Sequence, residues 1–183
     1  ALGIQEAHII ENRNRFVPSR NVDMGASKWM DIRRYALPSA RKRRSNEPRE
    51  LEIGEDCLDN TRAALEGLRA RGFLLAASTL RLGAADISEV PVDRPVAVMI
   101  GTELTGLTRA AHDMADILFS LPMLGFVQSM NLSVFSALCL SSLAGRMRAH
   151  SEEWRLSRGE RDELMLDWLG RCVADAREAS PRA

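Results

Sequence analysis

Three short apolar runs constrain this chain more than any other feature: FLLAASTL from Phe73, VAVMIG from Val96 and ADILFSLPM from Ala115. Each has the length of a buried strand, and helical patterns alternate with them. TRAALEGLRARG precedes the first, starting at Asn60-Thr61, carrying Ala64, Leu65 and Leu68 at helical spacing and stopping at Gly72. LTRAAHDMA from Leu107 separates the second and third, and a long, largely apolar helix is predicted from Asn131 to His150. Strands alternating with helices imply an α/β fold with a mostly parallel sheet. In such sheets ligands gather beyond the carboxyl ends of the strands, so the loops after FLLAAS, VAVMIG and ILFSLPM are the first places to look for a site.

The flanks read less sharply. Ala7 to Ile10 is expected to form a short strand, and SKWMDIRRYAL from Ser27 a second around Trp29 and Ile32. Between Pro38 and Asn60 the composition shifts to RKRR, Pro48 and several acids, which reads as an exposed insertion holding at most one short element. An amphipathic helix is expected from Arg158 to Ala176, with Leu164, Leu166, Trp168 and Leu169 along it. A chain of 183 residues suits one well-buried domain, so residues 1–183 are taken as a single unit and 151–183 as its helical extension.

Composition narrows the class. Hydrophobic residues at 45% and charged residues at 27% fit a globular protein and argue against a disordered or fibrous one. No apolar run approaches the roughly 20 residues needed to cross a bilayer, and the first residues do not read as a signal peptide. A cytoplasmic protein is expected. Cys57, Cys139 and Cys172 are far apart and form no CxxC pair, and the three histidines are equally scattered, so neither a disulfide framework nor a metal site is indicated. Net charge is +0, which does not by itself favour a nucleic-acid partner. Arginines nevertheless crowd the first half, at Arg13, Arg15, Arg20, Arg33, Arg34, Arg41, Arg43 and Arg44. They either solvate a surface or meet phosphates, for which a guanidinium fork is suited.

Two glycine-bearing loops carry the chemistry. Gly101-Thr102-Glu103-Leu104-Thr105-Gly106-Leu107 follows VAVMI, and Pro122 to Val134, PMLGFVQSMNLSV, follows ILFSL. The second sets Gln128, Ser129, Asn131 and Ser133 among apolar residues, an odd pattern for a core strand. Neither loop is a GxGxxG or a GxxxxGK[ST], so a Rossmann site or a P-loop is unsupported.

IGTELTGL and LPMLGFVQSMNLSV resemble the second and third motifs of the SpoU/TrmH family of RNA ribose 2′-O-methyltransferases, in the SPOUT class. ALGIQEAHII, GASKWMDIRRY and an LDWL-bearing last helix extend the resemblance over most of the chain, nearest to the tRNA guanosine-2′-O-methyltransferase branch. The resemblance implies helices on both faces of the sheet and a deep C-terminal trefoil knot. It also implies S-adenosylmethionine as methyl donor, held at Ser78, Gly101, Leu121 and Met130, with Glu103, Ser129 and Asn131 as the functional polar residues. Lys28, Trp29, Arg33 and Arg34 become candidates for RNA contact, Trp29 by stacking on a base or else as a core residue. A homodimer acting on RNA, most readily tRNA, is expected without a metal. Neutral groups such as Ser129 and Asn131 suit this chemistry, because they orient a hydroxyl without placing a charge beside a sulfonium. Glu103 and Asn131 have a plainer reading as helix caps and loop anchors. The family's first motif, an Asn and an Arg on a helix ahead of the stretch that ALGIQEAHII resembles, has no counterpart after Ala1; a longer form of the protein is expected to carry it. The competing reading is a SPOUT-fold protein that binds RNA or cofactor without turnover, and rRNA is the alternative substrate.

Overall fold

The computed structural model describes residues 2–12, 26–36, 55–126, 130–152 and 154–179. In chain order it places strand β1 at Glu6–Glu11, a 3₁₀ turn at Ala26–Trp29, β2 at Asp31–Ala36 and helix α1 at Glu55–Ala70. Strands β3 at Leu74–Ser78 and β4 at Ala85–Asp86 follow, then a 3₁₀ turn at Ile87–Glu89 and β5 at Val96–Met99. The short helix α2 at Arg109–Asp113, β6 at Ile117–Ser120, α3 at Leu132–His150 and α4 at Arg158–Ala179 complete the order.

The main sheet has the strand order β4-β6-β3-β5 and every pairing in it is parallel. Alternation along β3 divides the core in two. Leu74 and Ala76 face one side, where Ile87, Val90, Phe119 and, from α3, Cys139 and Leu143 close over them. Leu75 and Ala77 face the other, against Leu65 and Leu68 of α1, Met99, and Ala111 of α2. Helices therefore cover both faces, which is why these strands are apolar throughout rather than alternating. Cys139 is fully buried, and burial pushes its thiol up to about 11, so it is a packing residue and not a nucleophile.

β1 and β2 form a separate parallel pair, in register from Glu6 opposite Asp31 to Glu11 opposite Ala36. α1 packs along this pair as well as on β3. Near its start, Asn60 donates to the Tyr35 carbonyl (2.7 Å) and to Asn12 Oδ1 (3.2 Å), while Asn12 donates to Thr61 Oγ1 (3.0 Å). Asn60 and Thr61 are thus not the cap that the sequence suggests. The helix begins at Glu55, inside the stretch expected as an insertion, and the two polar residues serve as its side-facing contact to β1 and β2. Residues 37–54, with the RKRR run, lie outside the described residues.

Past the other end of α1, Arg71 grips Glu6 with both amino groups, at 2.8 and 2.7 Å. Arg33 approaches the same carboxylate at 3.4 Å and His8 at 3.2 Å. The bonds from Arg71 hold the Glu6 carboxyl down, from 4.5 to about 2, against the opposing effect of burial. A carboxylate depressed by folding adds stability above its unfolded pKa, and that stability is lost as pH falls toward the folded value. Glu6→Gln is therefore expected to cost about 1–2 kcal/mol at neutral pH, screening included, with the difference from the parent shrinking between pH 4.5 and about 2. Urea titrations across that range check it; a gap that does not close on acidification would exclude Glu6 as its source.

Candidate active site

β3 lies between β5 and β6, so the chain leaves β3 in one direction and returns on its other side. In parallel sheets such a reversal is where a ligand crevice is expected, here beyond the carboxyl end of β3. The loops after β5 and β6, which carry the two sequence motifs, leave the sheet on either side of it.

The loop after β5 is closed on itself. Thr102 and Gly106 exchange backbone hydrogen bonds of 3.1 and 2.8 Å, and the hydroxyls of Thr102 and Thr105 lie 2.7 Å apart. Gly106 takes φ +66°, a left-handed conformation that glycine adopts without strain. Gly101 is required for a different reason: a Cβ there would meet the Gly106 carbonyl carbon at 2.0 Å and the Leu107 nitrogen at 2.2 Å. Thr102 and Thr105 were not singled out from the sequence, although two threonines between two glycines are the signal of a loop that fastens itself.

Glu103 points from this locked loop to the start of α3. Its Oε1 accepts from the Leu132 backbone N–H at 3.0 Å and from Asn131 Nδ2 at 3.4 Å. Asn131 is the N-cap of α3, its Oδ1 accepting from the Ser133 N–H at 2.9 Å. Two of the helix's otherwise unpaired N–H groups are thereby satisfied, and a carboxylate sits where the helix dipole favours it. Both ends of the Asn131 amide are engaged within the chain. The structure brings Glu103 and Asn131 together, a contact that the sequence does not predict; Ser129 and Gln128 lie outside the described residues.

Of the positions expected to hold a cofactor, Ser78 ends β3 and is half-buried, as is Gly101. Leu121 packs against the core beneath the crevice, and Met130 is half-buried just before the α3 cap. The four therefore stand on three loops that meet at the crevice. Among the described residues no cluster of His, Cys, Asp or Glu is arranged to hold a metal ion.

The positions expected to meet RNA stand elsewhere. Asn60 reaches the end of β2 while Arg71, after α1, reaches the start of β1, so α1 runs antiparallel to β1 and β2 as it does to β3. Lys28 and Trp29, just before β2, consequently lie at the amino-terminal end of the strands, opposite the crevice. Trp29 is 47% exposed and meets the edge of Trp168 of α4 with ring centroids 5.6 Å apart, so it is neither core nor a free platform. Arg33 pairs with Glu6 and Asp31, and Arg34 with the buried Glu11. A cleft of about 360 Å³ also opens at this end, lined by Gln5, Leu156, Leu164 and the carboxylates Glu160, Glu163 and Asp167, a lining that repels a polyanion.

Residues 43–141 match the model of the SpoU rRNA Methylase family. The tRNA (guanosine(18)-2′-O)-methyltransferase of Thermus thermophilus is 32% identical over 173 residues, which cover 92% of this chain and 76% of that protein. Among solved structures, the TrmH/SpoU tRNA modifying enzyme of A. aeolicus superposes with a TM-score of 0.69 at 21% identity, over 94% of this chain and 77% of that one. The SpoU methyltransferase AviRb of Streptomyces viridochromogenes, in complex with the cofactor AdoMet, gives a TM-score of 0.57 at 17% identity, over 81% of this chain and 52% of that one. No helix among the described residues is long and apolar enough to cross a membrane.

Proposed function

We propose that this chain, which belongs to the SpoU rRNA Methylase family, is an S-adenosylmethionine-dependent RNA ribose 2′-O-methyltransferase whose substrate is a guanosine of tRNA. The observation that carries the reading is the meeting of the two family-like loops at the crevice beside β3, joined through Glu103, Asn131 and the Leu132 N–H. The tRNA assignment rests on similarity to enzymes named for that reaction.

The crevice suits the methyl donor. It offers backbone groups, the apolar side chains of Leu121 and Met130 and a glycine where the chain must pass closely, and its one carboxylate is already engaged at a helix start. Ser78, Gly101, Leu121 and Met130 would hold the adenosyl moiety. When bound, S-adenosylmethionine supplies an electrophilic methyl group on a sulfonium. The chain's task is then to place the ribose hydroxyl in line with that methyl and keep water out. With both ends of its amide occupied, Asn131 acts by positioning: with Glu103 it fixes where the third-motif loop joins α3. Ser129 remains the hydroxyl-orienting group of the proposal.

The finer architecture is part of the same reading. The third-motif segment is threaded as a trefoil knot, and residues 1–183 form one domain in which the stretch 38–60 contains an insertion and 151–183 an extension. The protein acts in the cytoplasm as a homodimer without a metal. Val134 and Leu138, 51% and 46% exposed and four residues apart on α3, support a second copy packing there.

The test is transfer of labelled methyl from S-adenosylmethionine to unmodified tRNA and to rRNA by the full-length protein. Transfer to tRNA is expected; transfer confined to rRNA would refute the substrate assignment, and none to either would refute the activity. Asn131→Ala is expected to lower the rate roughly tenfold or more, beyond the ~1 kcal/mol that loss of a helix cap costs in stability.

A further inference from the structure

The three loops that leave the carboxyl ends of β3, β5 and β6 contain only two charged residues between them, Arg81 after β3 and Glu103 after β5. Glu103 is turned to the start of α3. Arg81 is different. Elsewhere in the fold arginines are mostly engaged: Arg33, Arg34, Arg69, Arg71, Arg109, Arg155, Arg158 and Arg171 in ion pairs, and Arg146 and Arg148 on backbone carbonyls. The exposed guanidinium of Arg81 has no carboxylate partner among the described residues.

Its place follows from the topology. β3 is flanked by β5 and β6, so the Arg81 loop starts between the Glu103 loop and the strand that leads to Asn131, at strand spacings of about 5 Å. The turn that presents it is well defined. Thr79 N–H donates to the Phe119 carbonyl at 2.9 Å, Arg81 N–H to Thr79 Oγ1 at 3.2 Å, and Gly83 turns the chain with φ +84°. None of these bonds uses the Arg81 side chain. Leu80 and Leu82 on either side are 70% and 103% exposed, so the turn projects a cation between two apolar side chains.

We infer that Arg81 contacts a backbone phosphate of the RNA beside the nucleotide being methylated. This rests on the proposed RNA methyltransferase activity. A polyanion entering the crevice meets no other cation on its loops, and a forked guanidinium with no ion-pair partner among the described residues breaks no such pair to bind phosphate. The contact also supplies at the crevice what Lys28, at the opposite end of the strands, and Arg33 and Arg34, paired with carboxylates along β1 and β2, do not.

The test uses the full-length protein with unmodified tRNA. Arg81→Ala is expected to raise the KM for tRNA about tenfold, with the loss falling on KM rather than kcat, and to reduce the slope of log affinity against log salt by about one. Arg81→Lys, which keeps the charge, is expected to restore part of the affinity, whereas a purely structural role of the turn would respond to neither. Affinity for S-adenosylmethionine, read by calorimetry, is expected to stay unchanged. An unaltered KM and salt slope in Arg81→Ala would overturn the inference, and so would weakened S-adenosylmethionine binding, which would give Arg81 to the cofactor's carboxylate. If the parent protein binds tRNA but transfers no methyl, the activity reading fails while the salt slope of binding still decides for or against Arg81. If the parent does not bind tRNA, both fail.

Discussion

Gly101→Ala is expected to lower methyl transfer by on the order of 100-fold while the protein stays folded. Gly101 does not need an unusual backbone angle; it needs space, because a Cβ would lie 2.0 Å from the Gly106 carbonyl carbon and 2.4 Å from its oxygen. Both atoms are backbone, held by the paired bonds between Thr102 and Gly106, so no rotamer change relieves the contact. The loop as a whole must shift. Glu103 is carried on that loop, and its 3.0 Å bond to the Leu132 N–H joins it to α3, so displacement at Gly101 becomes displacement of the third-motif junction. The buried residues of the core cluster on this face, Leu65, Leu68, Leu75, Ala77, Met99 and Ala111, lie in strands and helices, and of this loop only Leu107 packs against them. Single-turnover transfer to tRNA, alongside a thermal melt, separates the two effects. A parent-like rate would mean that the Gly101–Gly106 loop does not position the reaction.

How far the sequence reveals this site depends on which physical signal each residue carries. The alternation of apolar runs with helical patterns is strong from Phe73 to His150, and β3, β5, β6 and α3 fall where it places them. Loop glycines and polar residues between buried segments mark the two loops, whereas Glu103 and Asn131 are singled out by the family resemblance; in the structure their side chains meet. Elsewhere local chemistry misleads. Asn60-Thr61 has the residue types of a helix cap, yet both act as lateral contacts within a helix that began at Glu55, because Asn12 and the Tyr35 carbonyl offer them partners. In FLLAASTL the strand ends at Ser78, the last residue of FLLAAS, and Leu80 is left in solvent although it belongs to the same apolar run, β6 offering one further backbone bond, to Thr79. Trp29 was placed in a strand; it lies in a 3₁₀ turn, held by Trp168 from 139 positions later, a contact that no local pattern encodes. Two-residue β4 is too short to leave a periodic signal at all.

Phe119→Ala is expected to destabilise the fold by about 3–5 kcal/mol, the usual cost of deleting a buried aromatic ring that its surroundings cannot collapse to fill. For a protein of this length that corresponds to a fall in Tm of roughly 6–20 °C. Phe119 is 0% exposed in β6, between β4 and β3, and its ring packs with Leu74, Ala76, Ile87, Val90, Cys139 and Leu143. Sheet on one side and α3 on the other limit how far any neighbour moves in. Leu82→Ala is the control: that side chain is fully exposed, and its removal is expected to change stability by less than about 0.5 kcal/mol. Urea titrations of both variants measure the contrast, and similar midpoints for the two would contradict the packing described for β6. The consequence for function follows from the backbone. The Phe119 carbonyl accepts the Thr79 N–H that opens the Arg81 turn, so a loosened β6 relaxes the crevice from below. Methyl transfer by Phe119→Ala is therefore expected to fall at temperatures below its own melting transition, where Leu82→Ala keeps its fold intact.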